Sequence, residues 1–476
     1  MNDIIELLNL EDPNIQIASV EIHDGIKELT LERKPSPQYC PYCGTRMHSR
    51  GVRRRSVNHP VLQDGFILRL VLKQRRWKCT CAGCGHEMNE NFSFISPGRR
   101  STNITDILIL ESFKDLNATA ASIARKFHVS DTYALTVFDR YVNMKRLTLG
   151  KVLSVDEVHL EIPGECEYAL VLFDFVSRQP VDIIKSRKQA ETEPYFASIP
   201  IEERVKVGYL VCDMYNPYLS FAEKYFPKAQ TIVDSFHVVQ YLESKILQML
   251  NAMQKQYRQR DDQLKKEKEE KAGHKLRIPQ SDEYYLLKNH KWIMLTSMEN
   301  INYNAAPHWD RHFRYYMDTY AYEERFFAID DSFREIRDLK EKYIQFNRVC
   351  AGDEMQAAEE LDSLITEYAR SSYELFRDFA RLLWKHRDAI IRSFILIDTA
   401  AGKVRPSNGP IESLNRKPKD IKRNARGYRN FDHARNRILY SLRTNAPILA
   451  QPRSDSEFKR ITGIQRGPYR KKDTVK

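Results

Sequence analysis

From Val152 onward the hydrophobic positions fall into short, nearly unbroken runs: VLSVDEVHLEI, YALVLFDFVS, PVDIIKS, VGYLVCDM and, after a helical stretch, TIVDSF. Runs of this length, rich in Val, Leu and Ile, predict buried strands. Their order, three consecutive strands, a further strand and then a helix, predicts an α/β layout. The pattern differs on either side. Ile4, Ile5, Leu7 and Leu8 suggest a short helix, and Ile15, Ile17, Val20 and Ile22 a strand. Residues 101–146 take up helical periodicity. Between about Val238 and Arg392 strand signals almost vanish, and segments such as QYLESKILQMLNAMQKQYRQ, DSFREIRDLKEKYIQF and SSYELFRDFARLLWKH read as amphipathic helices. The run RQRDDQLKKEKEEKAGHK predicts a solvated helix or a mobile connection. The loop AAGKVRPSNGP leads to another helix near Ile411, and a loosely ordered basic tail is expected beyond about Pro452.

A chain of 476 residues with 42% hydrophobic and 11% aromatic positions can bury several cores, which excludes a disordered protein. The net charge of +12 is unevenly placed. Residues 401–476 carry 20 basic and 6 acidic side chains, residues 33–100 carry 14 and 3, and the remainder nets −13. Two basic blocks around an acidic middle point to a polyanion held at two places. The start, MNDIIELLNLEDP, has no secretory signal pattern, and no apolar run is long enough to span a membrane. A cytoplasmic protein without a membrane partner is expected, its cysteines not forming a disulfide framework.

Cys40-Pro-Tyr-Cys43-Gly and Cys81-Ala-Gly-Cys84-Gly are two tight-turn units that together supply the four thiolates a structural zinc ion prefers. Cys79 is the alternate to Cys81. Arg53, Arg54, Arg55, Arg75 and Arg76 lie between the two units, and arginine forks grip phosphate, so the module predicts DNA contact. In ATAASIARKFHVSDTYALTVFDRYV two helices are expected around a turn at His128-Val129-Ser130, with Ser130 as cap and Ile123, Phe127, Val129, Leu135 and Phe138 as the seam. That is a helix-turn-helix pattern.

Three carboxylates stand out by context: Asp156 inside an apolar strand, Asp213 at the end of another, and Glu412 in the first turn of a helix. Buried carboxylates call for a partner or a cation, and three of them can hold two Mg²⁺ ions for phosphodiester chemistry. Each taken singly also fits an ordinary strand-end or cap residue. Lys417, Lys419, Lys422, Arg423, Arg426 and Arg429 follow Glu412 and would place positive charge beside it.

The run NGPIESLNRKPKDIKRNARGYRNFDHARNRILYSLR resembles the C-terminal signature of bacterial insertion-sequence transposases of the ISL-three group. VCDMYNPYLSFAEKYFPKAQTIVDSFHVVQ and SVDEVHL resemble the segments around that group's second and first catalytic aspartates, and the Cys-x-x-Cys-Gly module its zinc region. The resemblance implies a multidomain α/β protein with a ribonuclease H-like catalytic core interrupted by a long helical insertion, preceded by a zinc-binding module and a helix-turn-helix. The expected boundaries are 1–100 for the zinc module, 101–150 for the helix-turn-helix, 151–240 and 395–450 for the two parts of the core, 241–394 for the insertion and 451–476 for the tail. It further implies that Asp156, Asp213 and Glu412 bind Mg²⁺ or Mn²⁺ in a DDE transposase acting on double-stranded DNA ends. Paired ends would call for a homo-oligomer. The alternative is a domesticated relative that binds DNA as a regulator without chemistry. Asp234 and His237 belong to a family-like motif of unassigned role and stay outside the triad.

Overall fold

The computed structural model describes residues 8, 10, 12–63, 66–96, 99–214 and 216–462. The helix expected around Ile4, Ile5 and Leu7 lies outside the described residues, as does the tail beyond Thr462.

The amino-terminal part is a five-stranded sheet. Strands β1 (Ile15–His23), β2 (Ile26–Arg33), β3 (Met47–Gln63), β4 (Phe66–Cys79) and β5 (Glu87–Asn89) are arranged β1-β2-β4-β3, with β5 on the far stretch of β4. Its core is made of Leu29, Leu31, Val57, Leu70 and Leu72 under Phe92 and Phe94. Three helices follow: α1 (Asn103–Ser112), α2 (Ala120–Phe127) and α3 (Asp131–Tyr141). Thr119 and Ser122 form a reciprocal capping box at the start of α2, His128 takes a left-handed conformation after it, and the Ser130 hydroxyl accepts from the Tyr133 amide to cap α3. Ile123, Phe127 and Phe138 are buried in the seam as expected, joined by Ala134 and Val137, while Val129 and Leu135 are only half-buried.

The second sheet carries the strands expected from the apolar runs: β6 (Val152–Ile162), β7 (Cys166–Asp174), β8 (Gln179–Ile184), β9 (Tyr209–Cys212) and β10 (Gln230–Val233), in the order β10-β9-β6-β7-β8. β6, β7 and β8 form an antiparallel meander, and β9 and β10 run parallel to β6. Helices α4 (Gln189–Ala197), α5 (Ile201–Arg204) and α6 (Asn216–Tyr225) connect and flank the parallel strands. One face of the sheet packs on Phe196, Tyr218, Phe221 and Phe226. The other packs on α1–α3 and on two late helices, α15 (Gly409–Asn424) and α16 (Phe431–Leu442), so the small helical unit shares a core with the sheet.

Between β10 and α15 comes a helical mass with its own core. It opens with the 38-residue α7 (Ser235–Ala272), whose last turns carry the charged run, largely exposed and helical as far as Ala272. It continues through α8 (Asp282–Asn289), α9 (Trp292–Leu295), α10 (Thr319–Phe327), α11 (Ser332–Val349), α12 (Glu354–Ala369), α13 (Glu374–Lys385) and α14 (Arg387–Ile391). The structure also has a hairpin here that the periodicity did not suggest, β11 (His308–Asp310) and β12 (Tyr315–Met317). Its strands, His-Trp-Asp and Tyr-Tyr-Met, are only three residues long, too short for an apolar pattern to mark them. A second hairpin, β13 (Ile397–Thr399) and β14 (Gly402–Val404), leads back to α15, and α17 (Asp455–Thr462) ends the described chain. No helix among the described residues is long and apolar enough to cross a membrane.

Candidate active site and metal centres

The sheet register brings the carboxylates together. β6 and β9 pair in parallel with Val152 beside Tyr209 and Ser154 beside Val211, and the same offset sets Asp156 level with Asp213. β10 pairs with β9 with Val233 beside Cys212, which sets Asp234 level with Asp213. Three aspartates thus stand in a row across three adjacent strands, about 4.8 Å from strand to strand. Glu412 comes from α15, whose buried positions Ile411, Leu414, Asn415, Pro418 and Ile421 recur at helical spacing against β6. The helix begins at Asn408-Gly409-Pro410, with proline fitting the first turn where no amide partner exists.

Asp156 is half-buried, and burial pushes its carboxyl above the ordinary range, with the charges of Asp213 and Glu412 pushing it further. Asn415 works the other way: its side-chain amide donates to Asp156 Oδ2 at 2.7 Å and reaches the Glu157 carbonyl at 3.3 Å. Asp234 is 1% exposed, and burial raises its carboxyl too. Its Oδ2 has no hydrogen-bond partner among the described residues. His237, in the first turn of α7, places Nε2 3.3 Å from Glu412 Oε1 and 3.9 Å from Asp234 Oδ2, while Nδ1 faces Gln240 at 3.3 Å. Asp234, His237 and Glu412 thus have ligand atoms within 4.8 Å of one another, a set to which Asp156 and Asp213 do not belong. Neighbouring Glu157 is turned elsewhere, to Arg187 at 2.8 Å and the Tyr218 hydroxyl.

Asn415 was missed from sequence, although its place three residues after Glu412, on the same helix face, was a usable signal. Asp234 was also legible, because a residue following the second of two parallel strands lies level with the one following the first.

In the cysteine module the sulfurs that cluster are those of the alternate set, with Cys79 in place of Cys81. Cys40, Cys43, Cys79 and Cys84 have sulfurs within 4.8 Å of one another, and Cys81 stands outside that set. Cys40 lies 3.6 Å from Cys84 and Cys43 lies 3.4 Å from Cys79. The reason is the end of β4. Cys79 is its last residue and faces the first turn, whereas Cys81 opens the second turn, its carbonyl accepting from the Cys84 and Gly85 amides and its own amide facing the Cys79 sulfur. Gly44 and Gly85, which follow the two turns, have φ of +72° and +57°, where a side chain would be strained. The Thr45 hydroxyl and amide pull the Cys43 thiol down to about 6.

The basic residues divide. Arg53 and Arg54 are exposed on β3. Arg55 donates to the Arg99 carbonyl and so acts inside the fold, Arg76 faces Glu87 at 3.7 Å, and Arg75 is half-buried. Beyond Glu412, Lys419, Arg426 and Arg429 are exposed, Lys422 pairs with Glu161 at 2.8 Å, and Arg423 with Asp420 at 2.8 Å. Part of the carboxy-terminal charge is structural: buried Arg437 donates to the Asp115 and Ala118 carbonyls, and buried Arg443 to the Pro180 carbonyl.

A family described as Transposase, the ISL3 group of DDE transposases, matches residues 153–438. The transposase for insertion sequence element IS1001 of Bordetella parapertussis is 22% identical over 297 residues, a match spanning 60% of this chain and 66% of that protein, just under two thirds of its length. The family match begins beside Asp156 and ends past Glu412, so it spans Asp156, Asp213 and Glu412. The chain belongs to the ISL3 group of insertion-sequence transposases.

Proposed function

We propose that the chain is a metal-dependent DDE transposase that binds the terminal inverted repeats of its own element and cleaves and joins DNA strands there. The observation that carries this reading is the convergence of Asp156, Asp213 and Glu412 from two adjacent strands and one helix. The meander followed by two parallel strands suits a ribonuclease H-like core, with the helical mass as its insertion.

The donor set fits divalent Mg²⁺ or Mn²⁺. It consists of carboxylate oxygens, one raised by burial and like charge, with no cation of the protein paired to Asp156 among the described residues. When bound, two such ions supply an activated hydroxyl nucleophile and charge stabilisation for the leaving oxygen of a phosphodiester. The protein's residues do the placing. Asp156 and Asp213 offer oxygens from a rigid sheet, α15 delivers Glu412, and Asn415 fixes the rotamer of Asp156 through the 2.7 Å bond. His237 holds Glu412 from the side of α7. Lys419, Arg426 and Arg429 would contact the phosphates of the strand. The cysteine module, closed by Cys40, Cys43, Cys79 and Cys84 around structural Zn²⁺, and the α2–α3 helix-turn-helix would recognise the ends.

The test is incubation of the purified protein and Mg²⁺ with DNA flanking its own gene, beside Asp213→Asn. Nicking and joining at repeat ends by the unaltered chain alone, with end binding retained in the variant, supports the reading. End-specific binding with no cleavage by either protein would favour the non-catalytic regulator.

A further inference from the structure

Nine large aromatic side chains are exposed among the described residues, and four of them fall within twelve positions: Trp309, Tyr315, Tyr316 and Tyr320, exposed by 53%, 63%, 62% and 60%. They belong to the β11–β12 hairpin and the helix start after it, a part of the helical mass used by neither metal centre. Exposed rings on a loose loop would mean little. Here the hairpin is fastened from below. Asp310 is buried and accepts from the Tyr285 and Tyr322 hydroxyls at 2.7 and 2.6 Å and from the His312 and Phe313 amides at 2.7 and 3.0 Å. Met317 is fully buried beside it, and His312 stacks on Tyr285 with centroids 4.1 Å apart. Strand alternation then turns Trp309 and Tyr316, which are register partners, to the outer face with their rings 5.3 Å apart.

Two arginines accompany these rings. Arg311 and Arg314 occupy the tip, both exposed and neither in an ion pair with any described residue. Arg314 has φ of +54°, a conformation that favours glycine or asparagine, so an arginine there carries a backbone cost without any visible internal return. Rings interleaved with free guanidinium groups match one ligand chemistry well: bases offer π faces to Trp and Tyr, and the phosphates between them offer charge to Arg. A protein partner also uses Trp, Tyr and Arg. Against that, a second copy of this face would bring like charges together, and the aliphatic positions exposed next to the hairpin in the chain, Ala305, Ala306 and Pro307, are too small to form an apolar interface core.

We propose that this hairpin is a docking surface for a DNA strand whose bases are unpaired. Duplex bases are stacked on one another and cannot offer their faces, so the rings select single-stranded or opened DNA. The inference rests on the reading that the chain works on DNA strands, but it assigns the contact to residues outside the carboxylate site.

The test uses the full chain without added Mg²⁺ and two probes, a short oligothymidylate carrying one 2-aminopurine and a fluorescein-labelled duplex. Trp309→Ala with Tyr316→Ala should weaken the single strand by at least about tenfold and restore the 2-aminopurine fluorescence that stacking quenches. Duplex binding should change less than about twofold. Trp309→Phe with Tyr316→Phe should keep most of the single-strand affinity, which separates ring stacking from any fold defect. Arg311→Gln with Arg314→Gln should flatten the slope of log affinity against log salt by roughly 0.7 for each phosphate no longer neutralised. Unchanged single-strand affinity in the double alanine variant overturns the proposal. So does an effect of that variant on self-association in sedimentation with strand binding intact. Repeat-end cleavage is scored separately: ring-dependent strand binding without cleavage would retain this surface and remove the catalytic reading.

Discussion

Replacing Cys79 and Cys81 separately by serine should have opposite outcomes, although both are thiols two residues apart. Four sulfurs held about 2.3 Å from one tetrahedral zinc ion lie about 3.8 Å from one another. The Cys40–Cys84 and Cys43–Cys79 separations of 3.6 and 3.4 Å are already close to that. The module has little else to hold it, since its apolar cluster is Cys40, Met47 and Cys79 with Trp77 and Met88 alongside. Zinc binding by small thiolate modules is worth about 10–16 kcal/mol, so losing one of four ligands removes roughly 3–4 kcal/mol. That is about two to three orders of magnitude in affinity. Zinc content after dialysis against a competing chelator reads this directly. Cys79→Ser should lose the metal at chelator concentrations where the unaltered chain and Cys81→Ser keep about one ion each. Zinc retained by Cys79→Ser and lost by Cys81→Ser would refute the assignment.

Three further outcomes are expected. Asn415→Ala should lower the cleavage rate by about 10–100-fold with end binding unchanged, because it frees Asp156 from its 2.7 Å partner; single-turnover cleavage and a binding titration check this together. Asp156→Asn should raise the metal-free melting temperature at neutral pH. Its carboxyl is raised in the fold, so metal-free stability declines as pH rises past the unfolded value near 3.8 towards the raised folded one, and the gain from the variant should vanish in melts taken below that window. Asp310→Asn should act in reverse. Burial works to raise that carboxyl, but bonds from Tyr322, Tyr285 and two amides outweigh it and pull it down to about 2, so its contribution is present above about 3.8 and is lost as pH falls towards 2. The variant should be less stable at neutral pH, and a pH series that leaves the two chains equally stable at neutrality would contradict this.

The second sheet was legible because its strands are largely buried on both faces and therefore read as nearly unbroken apolar runs. VLSVDEVHLEI coincides with β6 from its first residue to its last. The hairpin was not legible, since Trp309, Tyr315 and Tyr316 are all exposed and the short strands lack an apolar stripe. Asp156, Asp213 and Glu412 could be singled out by context, while Cys81 was preferred to Cys79 because spacing alone cannot tell the residue that ends a strand from the one that opens a turn. Charge counting was partly misleading for a similar reason. Arg437 and Arg443 add to the carboxy-terminal excess, yet both are buried and bound to backbone carbonyls. His237 could not be weighed from sequence, because Glu412, its partner at 3.3 Å, lies 175 positions away.

That Glu412 completes a phosphodiester-cleaving centre with Asp156 and Asp213 is tested most directly by single-turnover cleavage of paired element ends in Mg²⁺. The chains compared are the unaltered protein, Glu412→Gln, and Glu161→Gln as a surface-carboxylate control. Loss of cleavage by about a thousandfold or more in Glu412→Gln alone, with end affinity within about twofold, is the predicted result. Cleavage by Glu412→Gln at the rate of the unaltered chain would contradict it.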